Sequence, residues 1–304
     1  MSRKIWLEVA LNGGWTRKRQ PLIPVTANEV IAEAVACVHA GASVIHFHAY
    51  DEETGRQNDS PEVFRQVVAG IRAQCDAIVY PTMAQHPQDP DAPIRLEPLE
   101  QLAGEGLLEW CSVDPGSVNF SLLADIAEGR AGYPYVNSEQ HTRKGLELAV
   151  RYGFHPAYAI YEPGFIRLGA ALFRHMPGVP MPVYRFMLTD VFAFGLPPER
   201  FALDTLVKLM EREHPGAPWM TAGRCTDISR LVEPTVQAGG HLRVGLEDAP
   251  LGTTMNNVGW VEHTVNLMQK AGGTPATAAE IRQALKTTLR NVAPPADISQ
   301  KAAP

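Results

Sequence analysis

Cysteine is scarce: Cys37, Cys75, Cys111 and Cys225 stand far apart in 304 residues, with no C-x-x-C pair and no zinc-ribbon spacing. That excludes a disulfide scaffold and a thiolate metal cluster. Cys37 falls on the apolar stripe of an expected helix and reads as a small core residue. No apolar run reaches the roughly 18 residues of a membrane span. Glu8 interrupts the first apolar stretch too early for the core of a signal peptide. Positive charge is not in excess, since 27 Lys and Arg face 33 Asp and Glu for a net charge of −6. Nucleic acid and anionic membrane surfaces are therefore not expected partners. There is no repeat of 20–50 residues, and no low-complexity segment apart from the polar, Pro- and Ala-containing tail after about residue 292. What is left is a globular chain, expected in the cytoplasm, with residues 1–304 as one domain and a poorly structured end.

An apolar fraction of 45% supports a substantial core. Short β-rich runs alternate with amphipathic helical stretches from one end to the other. Strands are expected over residues 5–11, 43–48, 77–82, 110–114, 157–162, 183–189, 218–222 and 241–247. Thr26 reads as the cap of a helix that buries Val30, Ala34, Val35 and Val38 and stops at Gly41. Ser60-Pro61 is a cap followed by proline at the first helical position. Further helices are expected over 142–152, 165–175, 198–213, 227–238, 260–271 and 278–289. Eight βα units in alternation fit a closed parallel (β/α)8 TIM barrel better than an open sheet. A doubly wound sheet should carry G-x-G-x-x-G after its first strand, and Asn12-Gly-Gly-Trp15 is not that.

In a parallel barrel alternate strand residues point inward, and the active site lies at the C-terminal strand ends. Ile45 and Phe47 suit the helix-facing side, which puts His46 and His48 together on the inner side. Leu242, Val244 and Leu246 likewise face the helices, while Arg243, Gly245 and Glu247 face in. Strands 8 and 2 flank strand 1, so His46, His48 and Glu247 meet at one mouth. Two imidazoles and a carboxylate with an open position form a catalytic zinc set. His-x-His alone also occurs as a satisfied polar pair; the matching parity of Glu247 is what singles it out here. His39, His141, His175 and His214 sit on helices or in loops with no partner pattern.

Arg243 is an inward guanidinium that needs a partner, and Glu8 on strand 1 or Asp248 at the rim can supply one. It reads either as a structural ion pair or as the group that orients Asp248 or holds a substrate carboxylate. Parity turns Ser112 and Asp114 inward at the end of strand 4. Ser112 has no base beside it in sequence and reads as a hydrogen-bond donor. No lysine falls at an expected strand end, which argues against a Schiff-base aldolase.

At this point the residues resemble a known family. His46-Phe-His48 after Ala-Gly-Ala, Ser112-x-Asp-x-Gly-Ser-x-Asn-Phe120, Tyr161-Glu162-x-Gly164 and Gly239-Gly-His-x-Arg-Val-Gly-x-Glu-Asp248 look like the β-keto acid cleavage enzymes, over about residues 5–290. The resemblance implies a zinc-dependent barrel with the metal on His46, His48 and Glu247. It implies a reaction of a β-keto acid with acetyl-CoA that releases acetoacetate and a new acyl-CoA. Asp248, tuned by Arg243, would take a proton from the carbon between the keto and carboxylate groups; Claisen condensation and retro-Claisen cleavage follow. Asn12, Trp15, Thr82, Ser112 and Glu162 are the expected substrate contacts, and a homo-oligomer is the expected assembly.

Two departures bear on the substrate. Aminohexanoate-cleaving members carry a glutamate just after the strand-1 turn, where this chain reads Asn12-Gly-Gly-Trp15. Their Ser/Thr-Thr-Gly-Gly after strand 3 is Pro81-Thr-Met-Ala84 here. Trp15 is expected either to face an apolar or trimethylammonium tail or to pack under its loop. Two rival readings are a metal-dependent hydrolase and a barrel that binds a ligand or metal without turnover. Hydrolases of that kind usually place His-x-His on strand 1, and a non-catalytic barrel would have no need of Arg243 and Asp248 beside a full ligand set.

Overall fold

Apolar runs of three to six residues become eight parallel strands in the computed structural model, which describes residues 2–52, 54–84 and 92–291. The barrel strands are β1 Leu7–Ala10, β2 Val44–Phe47, β3 Ile78–Pro81, β4 Trp110–Ser112, β5 His155–Ile160, β6 Val183–Leu188, β7 Trp219–Gly223 and β8 His241–Val244. Their ladders run β3-β2-β1-β8-β7-β6-β5-β4, and the end strands β3 and β4 lie against one another. The sheet is thus a nearly closed (β/α)8 barrel. Outside it pack α1 Ala27–His39, α2 Pro61–Arg72, α3 Glu97–Gly104, α4 Glu139–Tyr152, α5 Pro163–His175, α6 Arg200–Glu213, α7 Val232–Ala238 and α8 Asn257–Lys270. A last helix, Ala278–Asn291, follows. The tail expected to be poorly structured lies outside the described residues. No helix among the described residues is long and apolar enough to cross a membrane.

Beyond shifts of a few residues at element ends, such as the helix expected over 227–238 that starts at Val232, the structure differs from the sequence expectation chiefly at three places. The first strand is two: Arg3–Ile5 pairs with Gly273–Pro275, and only Leu7–Ala10 enters the barrel. Trp6 marks the break, its backbone N–H donating to His241 Nδ1 at 3.1 Å and its ring stacking on that imidazole at 4.2 Å. Strand β8 ends at Val244, three residues early, because Gly245 takes φ +125°. The β4–α4 connection holds an unforeseen antiparallel hairpin, Val118–Phe120 with Tyr133–Tyr135, around the short helix Leu123–Ala127.

Side chains fill the lumen in layers. Trp6, Trp110 and His241 form an aromatic floor. Above it lies a charged layer of Glu8, Tyr80, Arg185 and Arg243, each at most 3% exposed. Glu8 Oε1 accepts from Tyr80 Oη at 2.6 Å and Arg243 Nη1 at 2.8 Å, with Arg185 Nη1 at 3.5 Å. Buried charges of this kind need opposite charges beside them. The floor of the functional site is therefore polar, rigid and balanced.

Candidate active site

The ladder pairs Ala10 with His46, and His46 and His48 rise on the same side of β2. Glu247 comes from the turn after β8, where its N–H donates to Ala10 O at 3.1 Å. Its Oε2 lies 3.4 Å from His46 Nε2 and 3.7 Å from His48 Nε2, and all three side chains are buried. Tetrahedral bonds of about 2.0–2.1 Å would space ligand atoms roughly 3.3 Å apart. Among the described residues Oε2 has no hydrogen-bond partner, so nothing else claims it. The donor set therefore fits a divalent ion such as zinc.

Protonation favours ligation too. Burial pushes both imidazoles below their ordinary range, against the opposing pull of Glu247. Burial alone would raise the Glu247 carboxyl, but Arg243, the two imidazoles and Arg224 outweigh it and hold it well below the usual carboxylate range. Neutral imidazole and ionised carboxylate are the metal-binding forms. The tautomer of His48 is fixed as well. Gln57 Nε2 donates to Asp59 at 2.7 Å, which turns Gln57 Oε1 toward His48 Nδ1 at 2.9 Å. Nδ1 carries the proton, and Nε2 keeps its lone pair for the site.

The turn that bears Glu247 and Asp248 is fastened from outside. Trp15 Nε1 donates to Glu247 O at 2.8 Å, Gln20 Nε2 to Leu246 O at 3.1 Å, and Leu246 N–H to Asn257 Oδ1 at 2.8 Å. Two glycines are required for it. A Cβ on Gly245 would meet Ala10 O at 2.3 Å, and one on Gly13 would meet Glu247 Cγ at 2.5 Å. The break at Gly245 also brings Asp248 back onto Arg243. Asp248 Oδ2 accepts from Nε at 2.7 Å and Oδ1 from Nη2 at 3.1 Å, while the same Nη2 lies 3.2 Å from Glu247 Oε1. One guanidinium thus bridges both acids and Glu8. Burial pushes the Asp248 carboxyl up to about 6 although Arg243 opposes the rise.

A cavity opens over the ligand set, lined among others by Thr82, Ser112, Asp114, Arg185, Arg224 and Arg243. Of the expected substrate contacts, Thr82 and Ser112 face this cavity and three others do not. Asn12 is spent on the backbone: it accepts from His48 N at 2.8 Å and donates to His48 O and Pro24 O. Glu162 accepts from Gly195 N–H at 3.0 Å. Trp15 packs under its loop, 8% exposed, with the Arg224 guanidinium over its ring at 4.8 Å. The ring face proposed for a trimethylammonium tail is already taken by a cation. Asp248 is also absent from the cavity wall and instead borders a smaller cleft with Trp260 and Thr264.

Arg224, Arg185 and Gln57 escaped the sequence reading. A signal existed for two of them. Parity continued past β7 from Met220 and Ala222 turns Arg224 inward, and Arg185 is the lone charge in the apolar run Val183–Leu188.

The chain is similar to known proteins over nearly its whole length. A 3-keto-5-aminohexanoate cleavage enzyme of Fusobacterium nucleatum is 27% identical over 94% of this chain and 98% of that protein. A 3-dehydrocarnitine:acetyl-CoA trimethylamine transferase of Rhizobium meliloti is 25% identical over 95% and 99%. Apo ObcA shares the fold, with a TM-score of 0.68 at 16% identity; 88% of this chain covers 66% of it, about two thirds of that longer protein. The sequence profile of the beta-keto acid cleavage enzymes matches residues 4–287, nearly the whole chain, and the chain belongs to that family.

Proposed function

We propose that this chain converts a β-keto acid and acetyl-CoA into acetoacetate and a new acyl-CoA. The observation that carries this reading is the convergence of His46, His48 and Glu247 beside the Arg243–Asp248 pair, in a member of this family. One relative is named as a cleavage enzyme of a keto acid and another as acting with acetyl-CoA. A divalent ion on the three ligands, zinc by the preference of two imidazoles and one carboxylate, supplies an electrophile for the oxygens of the keto acid.

The chain's own groups do the rest. Thr82 and Ser112 present hydroxyls to the keto acid from β3 and β4. Asp248 takes the proton from the carbon between keto and carboxylate groups, its carboxyl poised by burial near neutrality. Arg243 orients that carboxylate and touches Glu247 as well, so base and ligand keep a fixed relation. The deprotonated carbon bonds to the acetyl carbonyl carbon and the CoA thiolate leaves. The thiolate then adds to the original keto carbon and the bond from that carbon to the former α-carbon breaks. That α-carbon recovers the proton, giving acetoacetate and acyl-CoA.

Asp114 offers a second reading of the base, because its carboxylate lines the cavity and that of Asp248 does not. Asp114 is engaged by Tyr135 Oη and Ala159 N–H, both at 2.7 Å. These bonds occupy Asp114 as a wall group, whereas the Asp248 carboxylate bonds only to the Arg243 guanidinium among the described residues. The test is a panel of β-keto acids with acetyl-CoA, read by thioester exchange, alongside elemental analysis. Acyl-CoA formation, about one zinc per chain and loss of both in His46→Ala support the proposal. Turnover indifferent to strong chelators and to His46→Ala removes its core.

A further inference from the structure

Arg224 is a guanidinium on the cavity wall that the reaction above does not bring to the substrate. It stands just past β7, 8% exposed, with its backbone fixed at both ends: its N–H donates to Leu188 O at 2.8 Å and its carbonyl accepts from Thr189 Oγ1 at 2.8 Å. The next residue, Cys225, has φ +57°, a left-handed conformation uncommon outside glycine. Such a turn is kept where it aims a side chain. The guanidinium lies over the Trp15 ring at 4.8 Å and the Phe120 ring at 5.8 Å, which sets its plane.

Its hydrogen bonding is incomplete. Nη1 lies 3.3 Å from Glu247 O and Oε1, and that same Oε1 is shared with Arg243. Nε, on the edge that also carries Nη2, is buried and has no partner among the described residues. Arg185 Nε likewise has no partner among the described residues, but that guanidinium donates to Tyr80 Oη at 2.6 Å and Ala157 O at 2.8 Å and lies between Glu8 and Asp114, while Arg243 is paired with Glu8, Glu247 and Asp248. A buried guanidinium with an unused Nε edge matches the fork geometry of a carboxylate.

We propose that the β-keto acid used by this chain carries a second carboxylate at the far end of a short acyl tail, and that Arg224 receives it. This rests on the reaction proposed above. The barrel order supports the direction: β7 stands across the lumen from β3, whose end carries Thr82, and next to β8, whose turn carries Glu247. The carboxylate common to all β-keto acids meets Thr82 and Ser112, while the tail crosses toward Arg224. A cationic tail would meet a like charge there, and a neutral tail would leave the Nε edge unpaired.

The experiment compares three six-carbon acids that differ at the tail: 3-oxohexanedioate, 3-oxohexanoate and 5-amino-3-oxohexanoate. With the wild-type enzyme, kcat/KM for the dicarboxylate should exceed that for 3-oxohexanoate by roughly 100-fold, the scale of a charge-assisted pair. Arg224→Gln should erase that preference, mostly through the dicarboxylate, and Arg224→Lys should keep part of it. Isothermal titration of metal-loaded protein with the dicarboxylate should weaken in parallel. Preference of the wild type for the neutral or cationic tail would overturn the inference while leaving the reaction intact. An equal loss on all three acids in Arg224→Gln would also overturn it, because Arg224 would then serve their common part. Acyl-CoA from none of the three would overturn the proposed reaction and this inference with it.

Discussion

Glu8→Gln tests whether the charged layer under the ligands is a balanced unit. The amide is nearly isosteric, and its oxygen can still accept from Tyr80 Oη and Arg243, now 2.6 and 2.8 Å from Glu8 Oε1. Only the charge goes. Arg243 keeps Asp248 and Glu247, but Arg185 is left with Asp114 at 3.9 Å as its remaining acid. With both guanidiniums only 2–3% exposed, the deficit cannot be made up by water. Removing one partner of a buried pair costs about 3–5 kcal/mol, and the surviving acceptor places this change near the lower end. Urea unfolding, with metal held at one concentration, should show a lower midpoint at unchanged slope. Adding Arg185→Met should recover much of the loss, since two apolar or neutral groups leave no stranded charge. A Glu8→Gln protein within about 1 kcal/mol of wild type would refute the argument that this acid is what balances the layer.

Two further outcomes follow from the site. Asp248→Asn should keep fold and metal but lower kcat by at least ~100-fold, the scale of general base catalysis, while Asp114→Asn should cost less; steady-state kinetics of the pair checks this, and the reverse order would move the base to Asp114. Gln57→Leu removes the acceptor that fixes the His48 tautomer and should weaken zinc binding by roughly 10–100-fold without unfolding the protein, as measured by competition with a chelating dye.

The barrel and the convergence of His46, His48 and Glu247 were legible because they follow from alternation. Once Ile45 and Phe47 face the helices, His46 and His48 must face in, and Leu242 and Val244 set Glu247 the same way. That parity held although β8 ends at Val244, because the turn is short and tied to Ala10 by the Glu247 N–H. Substrate contacts were less legible, since they depend on loops. Asn12 and Trp15 lie in the β1–α1 connection, where nothing periodic tells whether a side chain faces the cavity or secures the turn beside it. In the structure both do the latter. The hairpin that brings Phe120, Tyr133 and Tyr135 to the cavity has strands of three residues, too short for a pattern to show. Arg224 was within reach of the same parity rule, had β7 been followed two residues past its expected end.

The central claim, that acetyl-CoA condenses with the keto acid before cleavage, is tested most directly by following carbon. Purified enzyme given an unlabelled β-keto acid and acetyl-CoA doubly 13C-labelled in its acetyl group should yield acetoacetate labelled at the keto carbon and methyl group only. The acyl-CoA should carry no label. Label in the acyl-CoA, or label recovered as free acetate beside unlabelled acetoacetate, would contradict the account.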